Sequence, residues 1–113
     1  CCVLFLPCRA HAETVTLQLK WSHQFQFAGY YAAIEQGYYQ EEGLDVILLE
    51  GRADIDPIQE VVSGRADFTV NNTSLLVERD NGAPAKVIAA IFQHSPQVLI
   101  TRKDAGFVTP HDL

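Results

Sequence analysis

Leu44 to Leu49, reading Leu-Asp-Val-Ile-Leu-Leu, is a nearly continuous apolar, β-branched run. Such a run suits a strand buried on both faces, which is the situation of a parallel sheet covered by helices. The flanking sequence supplies the other layers. Thr14 to Lys20 alternates, Val15, Leu17 and Leu19 against Thr14, Thr16, Gln18 and Lys20, the period of a strand with one buried face. From Phe27 apolar residues recur at Tyr31, Ile34 and Tyr38, a helical spacing that Gly37 is placed to end. Gln40 to Gly43 reads as a turn. Asp56-Pro57 is an N-cap followed by proline at the first helical position, before an apolar stripe of Ile58, Val61 and Val62 that Gly64 closes. Phe68 to Val70 is a short strand, and Asn71 to Ser74 cap a helix ending near Asn81-Gly82. Lys86 to Phe92 predicts a fourth strand, resumed at Gln97 to Thr101. Strands alternating with helices predict an α/β fold, a parallel-sheet lobe with crossover helices. There is no repeat, low-complexity tract or linker, so one domain or part of one is expected.

The first dozen residues stand apart. Cys1 to Cys8 is a short apolar run, and Ala10-His11-Ala12 offers the small residues a signal peptidase cuts after. Residues 1–12 are therefore expected to be a signal-peptide remnant, and 13–113 the mature segment of an exported protein. A lipidated Cys8 is the competing reading, weakened by Pro7 before it. The 113 residues hold no methionine, and Thr109-Pro110-His111-Asp112 reads as a helix start, so the expectation is a chain cut at both ends. All three cysteines lie in the leader, which leaves no disulfide, thiolate metal site or cysteine nucleophile in 13–113. Removing Arg9 leaves seven basic against fourteen acidic residues. A surface so acidic, with its cations scattered, disfavours nucleic acid and anionic membranes as partners.

In an open parallel sheet, ligands bind beyond the carboxyl ends of the strands. Three polar sets fall there: Trp21, Ser22, His23 and Gln24 after the first strand, Asn71, Asn72, Thr73 and Ser74 after the third, and Gln93, His94 and Ser95 after the fourth. Glu50 to Asp54, after the second, reads as a flexible loop. One indole with amides, hydroxyls and imidazoles suits a small, planar, polar molecule, stacked on its face and hydrogen-bonded at its edge. The sequence lacks a phosphate loop, a Gly-x-Ser-x-Gly elbow and a His-Glu-x-x-His motif. No metal and no cofactor is expected, and paired acids such as Glu41-Glu42 read as a solvated face. Tyr31, Tyr38 and Tyr39 read mainly as packing, with Tyr30 facing the cleft.

Leu19-Lys20-Trp21, His23 to Tyr31, Glu35 to Tyr39, Gly43 to Val46 and Ser63 to Phe68 together resemble the thiamine-pyrimidine-precursor-binding proteins. The likeness runs from about Val15 to Leu113, and the Trp21 neighbourhood and Ile91 to Pro96 are its more specific parts. The resemblance implies an exported solute-binding protein of the two-lobed periplasmic type, with 13–113 an incomplete first lobe, its apolar sheet edge exposed and marginally stable alone. It implies a formylaminopyrimidine or hydroxymethylpyrimidine ligand, stacked on Trp21, with Tyr30, Asn71, Asn72, Thr73, Gln93 and His94 nearby. Its implied partner is an ABC-type permease or, where the module serves as a sensor, a fused signalling domain. The superfamily also includes pyrimidine synthases that consume pyridoxal phosphate and their own histidine. The positions of their lysine and histidine fall on Asn71 and Leu75, which form neither a Schiff base nor an imidazole donor, so a non-enzyme is expected.

Overall fold

The computed structural model describes residues 12–95 and 97–112. Apart from Ala12, the expected leader lies outside the described residues. Three strands form one parallel sheet: β1 (Glu13–Gln18), β2 (Leu44–Leu49) and β3 (Phe68–Thr69), in the order β2-β1-β3. Val15 pairs with Val46 and Leu17 with Leu48 on one side, and Leu17 with Phe68 on the other. Paired residues of a parallel ladder share a face, so these positions make a single apolar face. The fold is α/β, as the element order predicts.

The helices follow their local signals in part: Gln40 and Glu41, expected in a turn, lie in a helix (Tyr38–Glu41), and Ser74 precedes the helix Leu75–Asp80 without a side-chain cap bond. A 3-10 turn (Phe25–Phe27) leads into α1 (Ala28–Glu35), and Gly37 at φ 78° separates α1 from α2 (Tyr38–Glu41). Helix α3 (Pro57–Val62) starts as predicted: the Asp56 carboxylate accepts from the amides of Ile58 and Gln59 at 2.9 and 3.3 Å. Such a cap contributes about 1 kcal/mol. Helix α4 (Leu75–Asp80) completes the set. Leu19, Phe27, Ile58 and Ala66 are the buried apolar core, contributed by the residue after β1, the end of the 3-10 turn, α3 and the approach to β3.

In the Ser63-Gly64-Arg65-Ala66-Asp67-Phe68 stretch, Gly64, Arg65, Ala66 and Asp67 each have a structural role. Gly64 turns the chain at φ 74°, Arg65 donates twice to the Glu60 carboxylate at 2.9 and 2.7 Å, and Ala66 is buried. Asp67 accepts from the Thr16 hydroxyl at 2.7 Å and the Thr16 amide at 2.8 Å, tying the start of β3 to β1. Those bonds, hydroxyl first, hold the Asp67 carboxyl below its ordinary 3.8. A depressed folded pKa contributes stability that is complete above the unfolded value and is lost as pH falls through the folded one. Urea titrations between about pH 6 and pH 2 should therefore show a smaller acid loss for Asp67→Asn than for the parent. Equal slopes would remove the role.

The fourth strand is not formed. Among the described residues of 83–101 there is no strand, and Val87, Ile88, Ile91, Phe92, Val98, Leu99 and Ile100 are 63–87% exposed. The reason is the ladder: both edges of β1 are occupied, and β3 pairs over only two residues, offering a short edge. An apolar run without a paired edge and a covering layer has nothing to bury against. The chain accordingly extends to 85 × 33 × 24 Å with a radius of gyration of 20.5 Å, against about 13 Å for a compact chain of 100 residues. Thr109-Pro110 does open a helical turn (Pro110–Asp112), whose Asp112 accepts from the Thr109 and Val108 amides at 2.6 and 2.9 Å. Among the described residues no helix is long and apolar enough to cross a membrane.

Candidate functional site

At the carboxyl edge of β1 and β2 the chain is tied down by side chains from three segments. Gln18 is 2% exposed, and its amide nitrogen donates to the carbonyls of Leu19 at 2.8 Å and Glu50 at 3.1 Å, with a longer contact to Leu49 at 3.4 Å. Gly51 donates its amide to Trp21 O at 3.1 Å. The Glu50 carboxylate accepts from the His23 amide at 3.1 Å, and the Tyr31 hydroxyl of α1 meets His23 Nδ1, with the rings edge to face at 5.7 Å. Glu50 to Asp54, expected as a flexible loop, is therefore corrected in part: its first two residues fix the Trp21–His23 segment, and Gly51 is buried.

At the end of β3 the two asparagines form a different device. Asn71 Oδ1 accepts from the Asn72 amide at 2.8 Å, and Asn72 Oδ1 accepts from the Ser74 amide at 2.9 Å. These are local side-chain turns of the Asx type. Both amide oxygens are spent on backbone, and neither amide nitrogen has a hydrogen-bond partner among the described residues.

A cavity of about 1290 Å³ runs along the apolar sheet face, between Val15, Leu17, Val46 and Phe68 on one side and residues 84–92, 94, 95 and 97 on the other. It exceeds the several hundred Å³ usual for a small-ligand pocket and is an open cleft. Tyr30, Asn71, Asn72, Thr73 and His94 all lie on its wall. Trp21 and Gln93 do not: Trp21 follows the lining Lys20 but stands 45% exposed, outside the wall. Among the tyrosines expected to pack, Tyr39 lines the cleft and Tyr38 is 57% exposed. Burial, and then the nearby Tyr39, raises the Tyr30 phenol above its usual range, so it is a neutral donor at physiological pH.

Lys20, Lys86 and Asp67 also line the cleft, and sequence reading singled out none of them. Lys20 looked like the polar side of an alternating strand, a pattern that does not tell solvent from cavity. Among the described residues no group of three or more His, Cys, Asp or Glu is placed to hold a metal ion. The arrangement offers an aromatic and apolar floor with a polar edge, which is the equipment for holding a flat heterocycle.

Residues 24–113 match the family model described as NMT1/THI5 like. The chain is 30% identical over 105 residues to the riboflavin-binding protein RibY of Chloroflexus aurantiacus, a match covering 89% of this chain and 30% of that protein. It is 29% identical over 102 residues to the formylaminopyrimidine-binding protein of Halalkalibacterium halodurans, covering 89% of this chain and 31% of that one. The chain thus spans just under a third of the length of these curated relatives.

Proposed function

The chain belongs to the NMT1/THI5-like family, and from that premise we propose that it is a solute-binding module for a thiamine pyrimidine precursor of the formylaminopyrimidine type. Residues 13–113 belong to the first lobe of a two-lobed binding protein, residues 1–12 are the remainder of an export leader, and the protein works outside the cytoplasm. It delivers its ligand to an ABC-type permease, or signals through a fused domain where the module is a sensor. The observation that carries this reading is the cleft along the apolar face of a parallel sheet, with Tyr30, Asn71, Asn72, Thr73 and His94 among the residues that line it. The names of two relatives, one binding formylaminopyrimidine and one riboflavin, support a flat nitrogen heterocycle as the ligand class. Synthase chemistry is disfavoured by Asn71 and Leu75, which supply neither an amine nor an imidazole.

Trp21 and Gln93 remain in the proposed site as groups that meet the ligand at the cleft's margin. Stacking on one aromatic ring is worth about 0.5–1.5 kcal/mol beyond burial, so Trp21→Ala should weaken binding by about two- to tenfold. Calorimetric titration of the complete protein with formylaminopyrimidine and with riboflavin tests the reading. Binding of the pyrimidine, weakened in Trp21→Ala with an unchanged melting temperature, is the expected result. Binding of riboflavin alone would move the assignment to flavins, and binding of neither would remove the pyrimidine assignment.

A further inference from the structure

The ladder between β1 and β2 breaks at its carboxyl end in a definite way. Gln18 pairs with Leu49, and the Leu19 amide donates to Leu49 O at 2.8 Å. The bonds of a parallel ladder are evenly spaced, so in register the next would run from the Gly51 amide to Leu19 O. The Gly51 amide donates instead to Trp21 O at 3.1 Å, and Leu19 O accepts from the buried Gln18 side chain at 2.8 Å. Lys20 to His23 therefore leaves the sheet as a bend. Past Trp21 the two strand exits are joined by a side chain, the His23 amide donating to Glu50 Oε1 at 3.1 Å. Glu50 reaches across from a fixed base, since its own carbonyl accepts from Gln18 at 3.1 Å. From α1 the Tyr31 hydroxyl meets His23 Nδ1. Trp21 thus lies between two held points, its side chain 45% exposed beside the cleft-lining Lys20.

We infer that Glu50 is a positioning residue for ligand binding: acting through the His23 amide, its carboxylate sets the bend that presents the Trp21 indole at the margin of the cleft. This rests on the reading of Trp21 as the group that stacks on the ligand, and it adds the residue that places that group. An aromatic side chain has two torsions to lose on binding, whereas an unfixed bend also has the backbone of each residue to order. A bend fixed in advance spares the ligand that ordering, and affinity rises by what is spared. Glu50 is itself exposed, so its replacement opens no cavity in the core.

The test is a double-mutant cycle in the complete protein, titrated calorimetrically with formylaminopyrimidine and with riboflavin. Glu50→Ala should weaken the pyrimidine by about two- to fivefold, and by no more than Trp21→Ala does, because it acts through that ring. In the Trp21→Ala background the same substitution should cost nothing further, the non-additivity of two residues that work as one. Glu50→Gln keeps an oxygen where the His23 amide donates and should bind within about twofold of the parent. Glu50→Ser, too short to reach that amide, takes the place of Glu50→Ala in the cycle if the alanine variant does not fold. An equal loss in both backgrounds would mark a general weakening of the fold and overturn the inference, as would a Glu50→Gln no better than Glu50→Ala. Weakening by Trp21→Ala with none by Glu50→Ala overturns the inference and leaves the ligand reading standing. A Trp21→Ala that binds like the parent removes the stacking role and the inference with it. If riboflavin alone binds, the pyrimidine assignment fails, and the inference stands if Glu50→Ala weakens riboflavin only where Trp21 is present and falls otherwise. A protein that binds neither compound overturns both.

Discussion

Gly51→Ala is expected to be among the most damaging single-methyl changes in this chain. A Cβ at Gly51 would sit 2.5 Å from the Trp21 amide nitrogen and 2.6 Å from the Lys20 carbonyl carbon, with Leu19 O closer still. All three are backbone atoms, so no side-chain rotation relieves the clash. The strand ends must separate, which breaks the Gly51-to-Trp21 hydrogen bond and displaces the segment carrying Lys20, Trp21 and His23. Overpacking a tight site costs about 1–3 kcal/mol, and backbone on backbone belongs at the upper end. The comparison is Gly29→Ala, in α1, where nothing lies within 4 Å of the added methyl. There alanine's better helix propensity should stabilise by about 0.5–1 kcal/mol. Urea denaturation of both variants reads the difference, and equal stabilities would show that the carboxyl edge yields more readily than its contacts indicate.

That contrast also marks what a sequence conveys. Glycines 29 and 51 look alike in a string of letters, since what distinguishes them at Gly51 is a segment some thirty residues away. The legible features were those whose causes are local. The Asp56-Pro57 cap, the β2 run and the stop at Gly37 each depend on a few neighbouring residues, and each stands where its signal put it. Lys86 to Phe92 has as good a strand pattern as β2, but a strand also needs a partner, and pairing is not written in the run itself. The site divides in the same way. Asn71, Asn72 and Thr73 reach the cleft because the end of a parallel strand is a place the order of elements defines. Lys20 was hidden because alternation gives a side chain's face and not what lies opposite, and Glu50 because its partner, the His23 amide, is on a different strand's exit.

Gln18 provides the sharpest test of how that edge is held, because its role inverts with one atom. Its NH2 group is buried against carbonyl oxygens of Leu19 and Glu50, with Leu49 O nearby, a cluster of acceptors that needs a donor. Gln18→Leu keeps the bulk and removes the donor, and the buried carbonyls it leaves should cost about 1–3 kcal/mol. Gln18→Glu is nearly isosteric but at neutral pH places a buried carboxylate, with nothing to donate, against the same carbonyls. An uncompensated buried charge costs about 3–5 kcal/mol, so this variant should be the less stable of the two at pH 7 despite its closer shape. Acid should reverse the order. The folded pKa of the introduced carboxyl is raised by burial and by its acceptor neighbours, so its protonated form is the one the fold tolerates. With a raised folded pKa, stability is fully present below the unfolded value, about 4.3 for a glutamate, and is lost as pH rises through the folded one. Stability curves from about pH 4 to pH 8 should therefore fall for Gln18→Glu relative to the parent, while the gap for Gln18→Leu stays level. Parallel curves for all three proteins would mean that the carbonyls find water when Gln18 is replaced, and that the edge is held by Gly51 and the sheet ladder instead.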